Sequence, residues 1–262
     1  MGPGDGGPGV IPSLLQWFTD PANWSGEDGI PNRLLEHLEY TLVTVVIAAL
    51  IAIPLGMWVG HTGRARWLVS VANSLRAVPT LGLLFAASLW LGPRISGNLA
   101  FLVPSIAVLV LLAIPPLLAG TYAGLEAVDP AARDAARGVG MRGRQVLWQV
   151  EVPNALPLMI SGIRSAVLQV VATATLAAYL GIGGLGRYLI DGIALRDYPR
   201  TAGGALLVAV LAVALEGLLA LAQRRVVSPG LTGRTVGGSR NDDENAAGEE
   251  SADGAVDLRT PA

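Results

Sequence analysis

Five stretches of this sequence are nearly free of charge and long enough to cross a lipid bilayer. Residues 41–60, 77–93, 95–125 and 165–186 carry no charged side chain, and 201–223 carries only Glu216. A hydrocarbon layer ~30 Å thick is spanned by about 20 apolar residues in a helix. Backbone inside lipid must satisfy its own hydrogen bonds, so apolar helices are the natural form. The competing reading is a set of helices buried in a large soluble core. Composition argues against it. Hydrophobic residues make up 52% of the chain and charged ones 15%, which leaves too little amphipathic sequence to cover five buried helices. The sequence therefore predicts an all-α integral membrane protein with spans near 38–60, 67–91, 99–123, 157–180 and 202–223.

Missing residue types exclude much chemistry. The chain has no cysteine and no lysine, so disulfides, thiolate metal sites, lysine phosphate loops and Schiff bases are absent. Its two histidines, His37 and His61, fall at span ends with no ligand partners in view. No metal site and no cofactor are expected. Two stretches, 138–143 and 181–186, fit the glycine spacing of a dinucleotide loop. Such a loop needs a strand before it and a helix after it, and neither stretch follows a strand pattern. The glycines at 181–186 read instead as tight, non-helical backbone at the outer surface, part of a translocation mouth.

Charges inside the spans are few. Arg76 and Arg164 each lie about two turns from a span start. A mid-bilayer arginine costs about 2.5–3.5 kcal/mol on insertion scales, so snorkelling or pairing inside the bundle is the plain expectation. The functional alternative puts both on a translocation path with Pro79, Thr80, Gly181, Gly183, Gly184 and Gly186. Prolines 54, 79, 104, 115 and 116 read as kinks. A sharper reading has 76–80 break a pore-lining helix and free its carbonyls. Arg187, Asp191, Arg196, Asp197 and Arg200 read as a solvated outer face.

Orientation follows arginine placement. Eight arginines (64, 66, 133, 137, 142, 144, 224, 225) flank the spans on one side and five (33, 94, 187, 196, 200) on the other. The richer side is assigned to the cytoplasm, with the N-terminus outside. The first 30 residues carry no basic residue and no apolar run of signal length, so they do not read as a cleavable signal. Residues 11–18 suit a short amphipathic turn at the interface. From about 228 the chain is rich in Gly, Ser, Asp and Glu, which predicts disorder.

The segment between spans three and four, 126–156, is too long for a simple turn. Asp129-Pro130 starts a helix, with an acid at the N-cap and proline at the first position. Four alanines sustain it, and Gly138 and Gly140 end it. A second segment, 142–152, has Val146, Leu147 and Val150 at helical spacing, and Pro153 is expected to break the chain before span four. A short alanine-rich helix exposed to the cytoplasm allows another protein to approach closely.

Here the sequence resembles the inner-membrane permeases of binding-protein-dependent ABC importers. Their loop reads E-A-A, three residues, Gly, nine residues, I-x-L-P. This chain has Asp134-Ala135-Ala136, three residues, Gly140, nine residues, Val150-Glu151-Val152-Pro153. Further likeness to the osmoprotectant branch lies in 39–42 with 53–56, in 75–80, in 162–164 with 172–178, and in 181–186 with 203–206. The resemblance implies a type-1 permease fold, with 1–36 as an extracytoplasmic segment, 37–223 as the permease domain and 224–262 as a disordered acidic cytoplasmic tail. It implies that Asp134, Ala135, Ala136, Gly140, Val150 and Pro153 serve a coupling helix docked on an ATP-binding subunit. The implied partners are that subunit, an extracytoplasmic substrate-binding protein, a second permease chain and membrane lipid, with no nucleic acid.

The implied activity is import of glycine betaine, choline, carnitine or proline betaine. ATP hydrolysis lies in the partner, because this chain lacks a phosphate-binding P-loop. Import of methionine or another amino acid is the alternative. A secondary transporter would need membrane-buried acids for ion coupling, and Glu216 is the one acid in a span. A membrane enzyme would need a cluster of polar catalytic groups at the interface, which the sequence lacks.

Overall fold

The computed structural model describes residues 10–226; residues 1–9 and the tail from 227 lie outside the described residues. Every regular element among the described residues is helical. A short helix, α1 (Val10–Thr19), precedes the long α2 (Ile30–Thr62). Two shorter helices follow, α3 (Trp67–Ser74) and α4 (Thr80–Leu91), and then α5 (Leu99–Glu126). The loop region holds α6 (Pro130–Gly138) and α7 (Gly143–Val146). Three more elements complete the set: α8 (Val152–Ala177), α9 (Gly186–Leu195) and α10 (Tyr198–Val226).

Four helical stretches are long and apolar enough to cross a membrane, and a bent pair makes a fifth. The first begins earlier than the sequence predicts. At 33 residues, α2 rises about 50 Å at 1.5 Å per residue, so it is longer than the hydrocarbon is thick. The expected boundary at 36/37 falls inside it. Gly63, in the left-handed region at φ 66°, caps it by donating its N–H to the Val59 carbonyl at 2.9 Å.

The second span is not one kinked rod. Stretches 67–77 and 80–94 meet at 94°. Val78 is extended, as the residue before a proline prefers, and Pro79 cannot donate to a continuing helix. Kinking therefore fails as a description at Pro79. Pro54 in α2 and Pro104, Pro115 and Pro116 in α5 leave their helices unbroken. Neighbouring helices and local adjustment absorb prolines in membrane helices.

Pro153 also departs from expectation. It lies in the first turn of α8, and a 38-residue helix runs through it from Gly143 to Leu180. Between α7 and α8, residues Leu147–Glu151 form a π-helical turn, in which the Val152 N–H reaches five residues back to the Leu147 carbonyl. The wider turn relieves the crowding that a proline ring imposes on the preceding turn.

α5 is the central rod, held between α2 and α8 by small residues. A Cβ on Gly120 would lie 2.7 Å from the Gly162 Cα, and one on Gly124 would lie 2.8 Å from the Ala155 carbonyl oxygen. On the other side, a Cβ on Gly56 would meet Thr121 and one on Gly60 would meet Leu125, each at 2.8 Å. Lipid gives no hydrophobic push between helices, so such close backbone approach provides the packing. The outer faces stay apolar and exposed, as at Leu50, Leu89, Val213 and Leu218.

α1 does more than rest at the interface. Trp17 is buried edge-on against Tyr188 of α9, with ring centroids 5.4 Å apart, and covers Gly203 of α10. Burial pushes the Tyr188 phenol above its ordinary range, and its hydroxyl donates to the Asp28 carbonyl at 2.5 Å.

Replacing Gly120 with valine forces α5 and α8 apart at their nearest approach. We expect a loss of about 1–3 kcal/mol, read as a lower melting temperature of the detergent-purified protein. An unchanged melt would contradict the packing described.

Candidate functional site

The C-termini of α2 and α5, the loop helix α6 and the start of the 143–180 helix meet at one end of the bundle. α6 starts as expected: the Asp129 side chain accepts from the Ala131 N–H at 2.9 Å, and Pro130 opens the helix. It ends through Gly140 at φ +86°, while the Met141 N–H returns to the Ala136 carbonyl at 3.1 Å.

α6 has two faces. Asp134, Ala135, Arg137 and Val139 point away from the bundle, and Val139 is 81% exposed. Asp134 pairs only with Arg137, one turn on, at 3.5 Å. Ala136 is buried against the bundle. Gly140 has open space around it, Val150 is half-buried, and Pro153 is exposed. Asp134, Ala135 and Gly140 thus share an accessible surface, whereas Ala136 helps to seat the helix.

The seat includes a residue to which the sequence reading gave no role. Glu151 is 1% exposed. Its Oε2 lies 2.6 Å from His61 Nδ1 in the last turn of α2. Its Oε1 lies 2.9 Å from Arg133 Nε of α6, an ion pair whose angle falls outside hydrogen-bond geometry. Arg133 also donates through Nη2 to the Leu125 carbonyl at the end of α5. His61 is therefore hydrogen-bonded within the fold. So is His37, buried at the far end, whose Nε2 bonds the Val171 carbonyl at 3.1 Å. Long-range contacts of this kind leave no mark in local sequence.

The residues assigned to a translocation path fall into three settings. Arg76 and Pro79 are exposed at the 94° break, with Thr80 half-buried beside them. Arg164 is held between helices: it donates to Gln223 at 2.7 Å and pairs with Glu216, both on α10. Glu216 is thus neutralised by an arginine on the neighbouring helix. Gly181, Gly183, Gly184 and Gly186 lie at the end opposite the loop. Gly181 and Gly184 take left-handed backbone, and the Gly184 N–H donates to Glu36 Oε2 at 2.8 Å. Gly186 starts α9 hard against Thr175. Gly181 and Gly183 line an open cleft of about 340 Å³ with Arg33, Glu36, Tyr40 and Phe101. The outer charged segment is not simply solvated, because Asp191 pairs with Arg187 at 2.7 Å and with Arg200 at 3.3 Å.

A polytopic helical bundle with one broken span and an exposed loop helix defines a multi-pass membrane protein. The model of the binding-protein-dependent transport system inner membrane component family matches residues 52–233. The chain is 32% identical over 201 residues to the glycine betaine/carnitine/choline transport system permease protein OpuCB of Bacillus subtilis (strain 168), covering 76% of this chain and 88% of that one. It is 36% identical over 193 residues to the osmoprotectant import permease protein OsmY of Salmonella typhimurium (strain LT2), covering 72% and 79%. Among solved structures, the inward-facing MetNI methionine ABC transporter superposes with a TM-score of 0.65 at 19% identity, over 80% of this chain and 100% of that chain. The chain belongs to the family of binding-protein-dependent transport system inner membrane components. It is a permease subunit of an ABC importer and not itself an enzyme; ATPase activity in such importers lies in a separate subunit.

Two contrasts test this geometry. Alanine at Gly138 meets nothing within 4 Å and needs no left-handed backbone, so it leaves the loop intact. Alanine at Gly140 must adopt φ +86° and costs about 1–2 kcal/mol, read as faster limited proteolysis of the loop. Glu216→Leu strands the Arg164 guanidinium, whereas Arg164→Leu/Glu216→Leu removes both charges. The double variant should melt higher than the single one, and the reverse order would contradict the pairing.

Proposed function

We propose that this chain forms the membrane path for import of small quaternary-ammonium osmoprotectants, with 129–153 as the coupling segment to the ATP-binding subunit. The accessible face of α6 carries this reading. It presents Asp134, Ala135 and Gly140 at the spacing of the family motif on a helix that leaves the bundle yet stays anchored to it. Small side chains there allow the partner's backbone to approach closely.

The substrate class rests on the relatives. OpuCB and OsmY are named for glycine betaine, carnitine, choline and osmoprotectant transport. Orientation rests on charge: the loop end carries Arg64, Arg66, Arg133, Arg137, Arg142 and Arg144, which assigns it to the cytoplasm and the N-terminus to the outside. On this orientation the segment before α2 lies outside and the chain after α10 is a cytoplasmic tail.

Arg76, Pro79 and Thr80 at the broken span, and Gly181, Gly183, Gly184 and Gly186 at the outer cleft, fit a path between two permease chains. Arg164 fits a structural pairing better. A substrate-binding protein would deliver at the cleft end. Nucleotide-driven closure of the partner would move α6, and ATP would shift the balance of inward- and outward-open states through differential affinity for them.

Uptake of radiolabelled glycine betaine, choline, carnitine and methionine in a strain lacking its own carriers tests the substrate class. Accumulation of one or more onium compounds above methionine is expected; methionine alone would contradict it. Asp134→Lys should abolish uptake while the protein still inserts in the membrane, and normal uptake would defeat the coupling role.

A further inference from the structure

We propose that Glu151 is a positioning residue, a strut through which α6, itself held to α5 by Arg133, drives the inner end of α2. The inference rests on the reading of α6 as the coupling helix and deepens it. Three observations converge. Glu151 is almost wholly buried although it is a carboxylate. Its two oxygens contact two different elements, His61 of α2 and Arg133 of α6. Arg133 in turn bonds the last turn of α5 through the Leu125 carbonyl.

The π turn explains how a polar residue reaches this place. In a regular α-helix, Val150 shares the face of Val146. The i→i+5 spacing of Leu147–Glu151 puts Glu151 on that face instead. Val146, Glu151, Ala155 and Met159 are all buried, so the face continues along α8. One extra residue in one turn therefore swaps a valine for a carboxylate at the junction of three elements.

The chemistry suits force transfer. Apolar contact is non-directional, and packed surfaces slide. The Arg133–Glu151 ion pair fixes distance, and the His61–Glu151 hydrogen bond fixes direction as well. An ionised carboxylate only accepts, so His61 donates through Nδ1. The outer face of α6 meets the partner through Asp134, while Arg133, one residue earlier, faces inward to Glu151. A push on the outer face is thus delivered to α5 through Arg133 and to α2 through Glu151, and the displacement is shared with the 143–180 helix.

The test uses the full complex in proteoliposomes, with radiolabelled glycine betaine uptake and ATP hydrolysis measured together. Glu151→Gln should lower the ratio of molecules imported to ATP hydrolysed by about tenfold, with the amount of assembled complex unchanged. A purely structural role would lower the yield of complex and leave that ratio intact, and this result overturns the proposal. A second arm removes the other half of the clasp: Arg133→Gln should lower the same ratio by a similar factor, and a normal ratio in the assembled complex also overturns the strut. Normal uptake by Asp134→Lys would sink the coupling reading itself, whereas normal coupling in Glu151→Gln sinks only the strut.

Discussion

Lipid cannot squeeze helices together as water does, so this bundle depends on how near its backbones come. α5 is flanked by glycines on both sides. Gly120 and Gly124 admit α8, and Gly56 and Gly60 of α2 admit α5. Larger side chains at these points would separate the rods and scatter their ends. Because they stay together, the ends of α2 and α5 and the start of the 143–180 helix arrive at one place. The loop helix has a seat only because of that convergence.

Polar groups add a second kind of bond between the same rods. His37 reaches the Val171 carbonyl, Gln169 reaches the Leu112 carbonyl at 2.9 Å, and Arg164 engages Glu216 and Gln223. Interhelical contacts of this kind contribute about 0.6 kcal/mol on average in membrane bundles. Their larger effect is to fix rotation and register, since a slipped helix would strand a polar group in hydrocarbon. The Glu151 cluster applies the same logic at the edge of the bundle, where it joins the core to the loop.

The positions of the spans were legible in the sequence because charge exclusion is a local, additive signal. α6 was legible too, since an N-cap acid, a proline and a left-handed glycine are local chemistry. The family likeness rested on the same loop and agrees with the matches to known permeases. What stayed hidden was non-local. His61 and Glu151 are 90 residues apart, and Arg164 and Glu216 are 52 apart. Helical periodicity grouped Val150 with Val146 and Leu147, because it presumes a uniform turn that Leu147–Glu151 does not keep. Pro153 looked like a breaker for the same reason. At Pro79 a kink was the plain expectation and a broken helix the sharper one; a 94° break is found, since extended backbone at Val78 turns the chain. The path residues were chosen one by one, and the fold distributes them among three settings.

Together these features describe a permease built on a glycine-packed bundle, with one exposed helix seated at its loop end. The central claim is that this helix touches the ATP-binding subunit. A photoreactive residue in place of Val139, which is 81% exposed beside the motif, tests it most directly in membranes that contain the partner. The account predicts a crosslink to the ATP-binding subunit. Crosslinks to lipid or to other chains alone would contradict it.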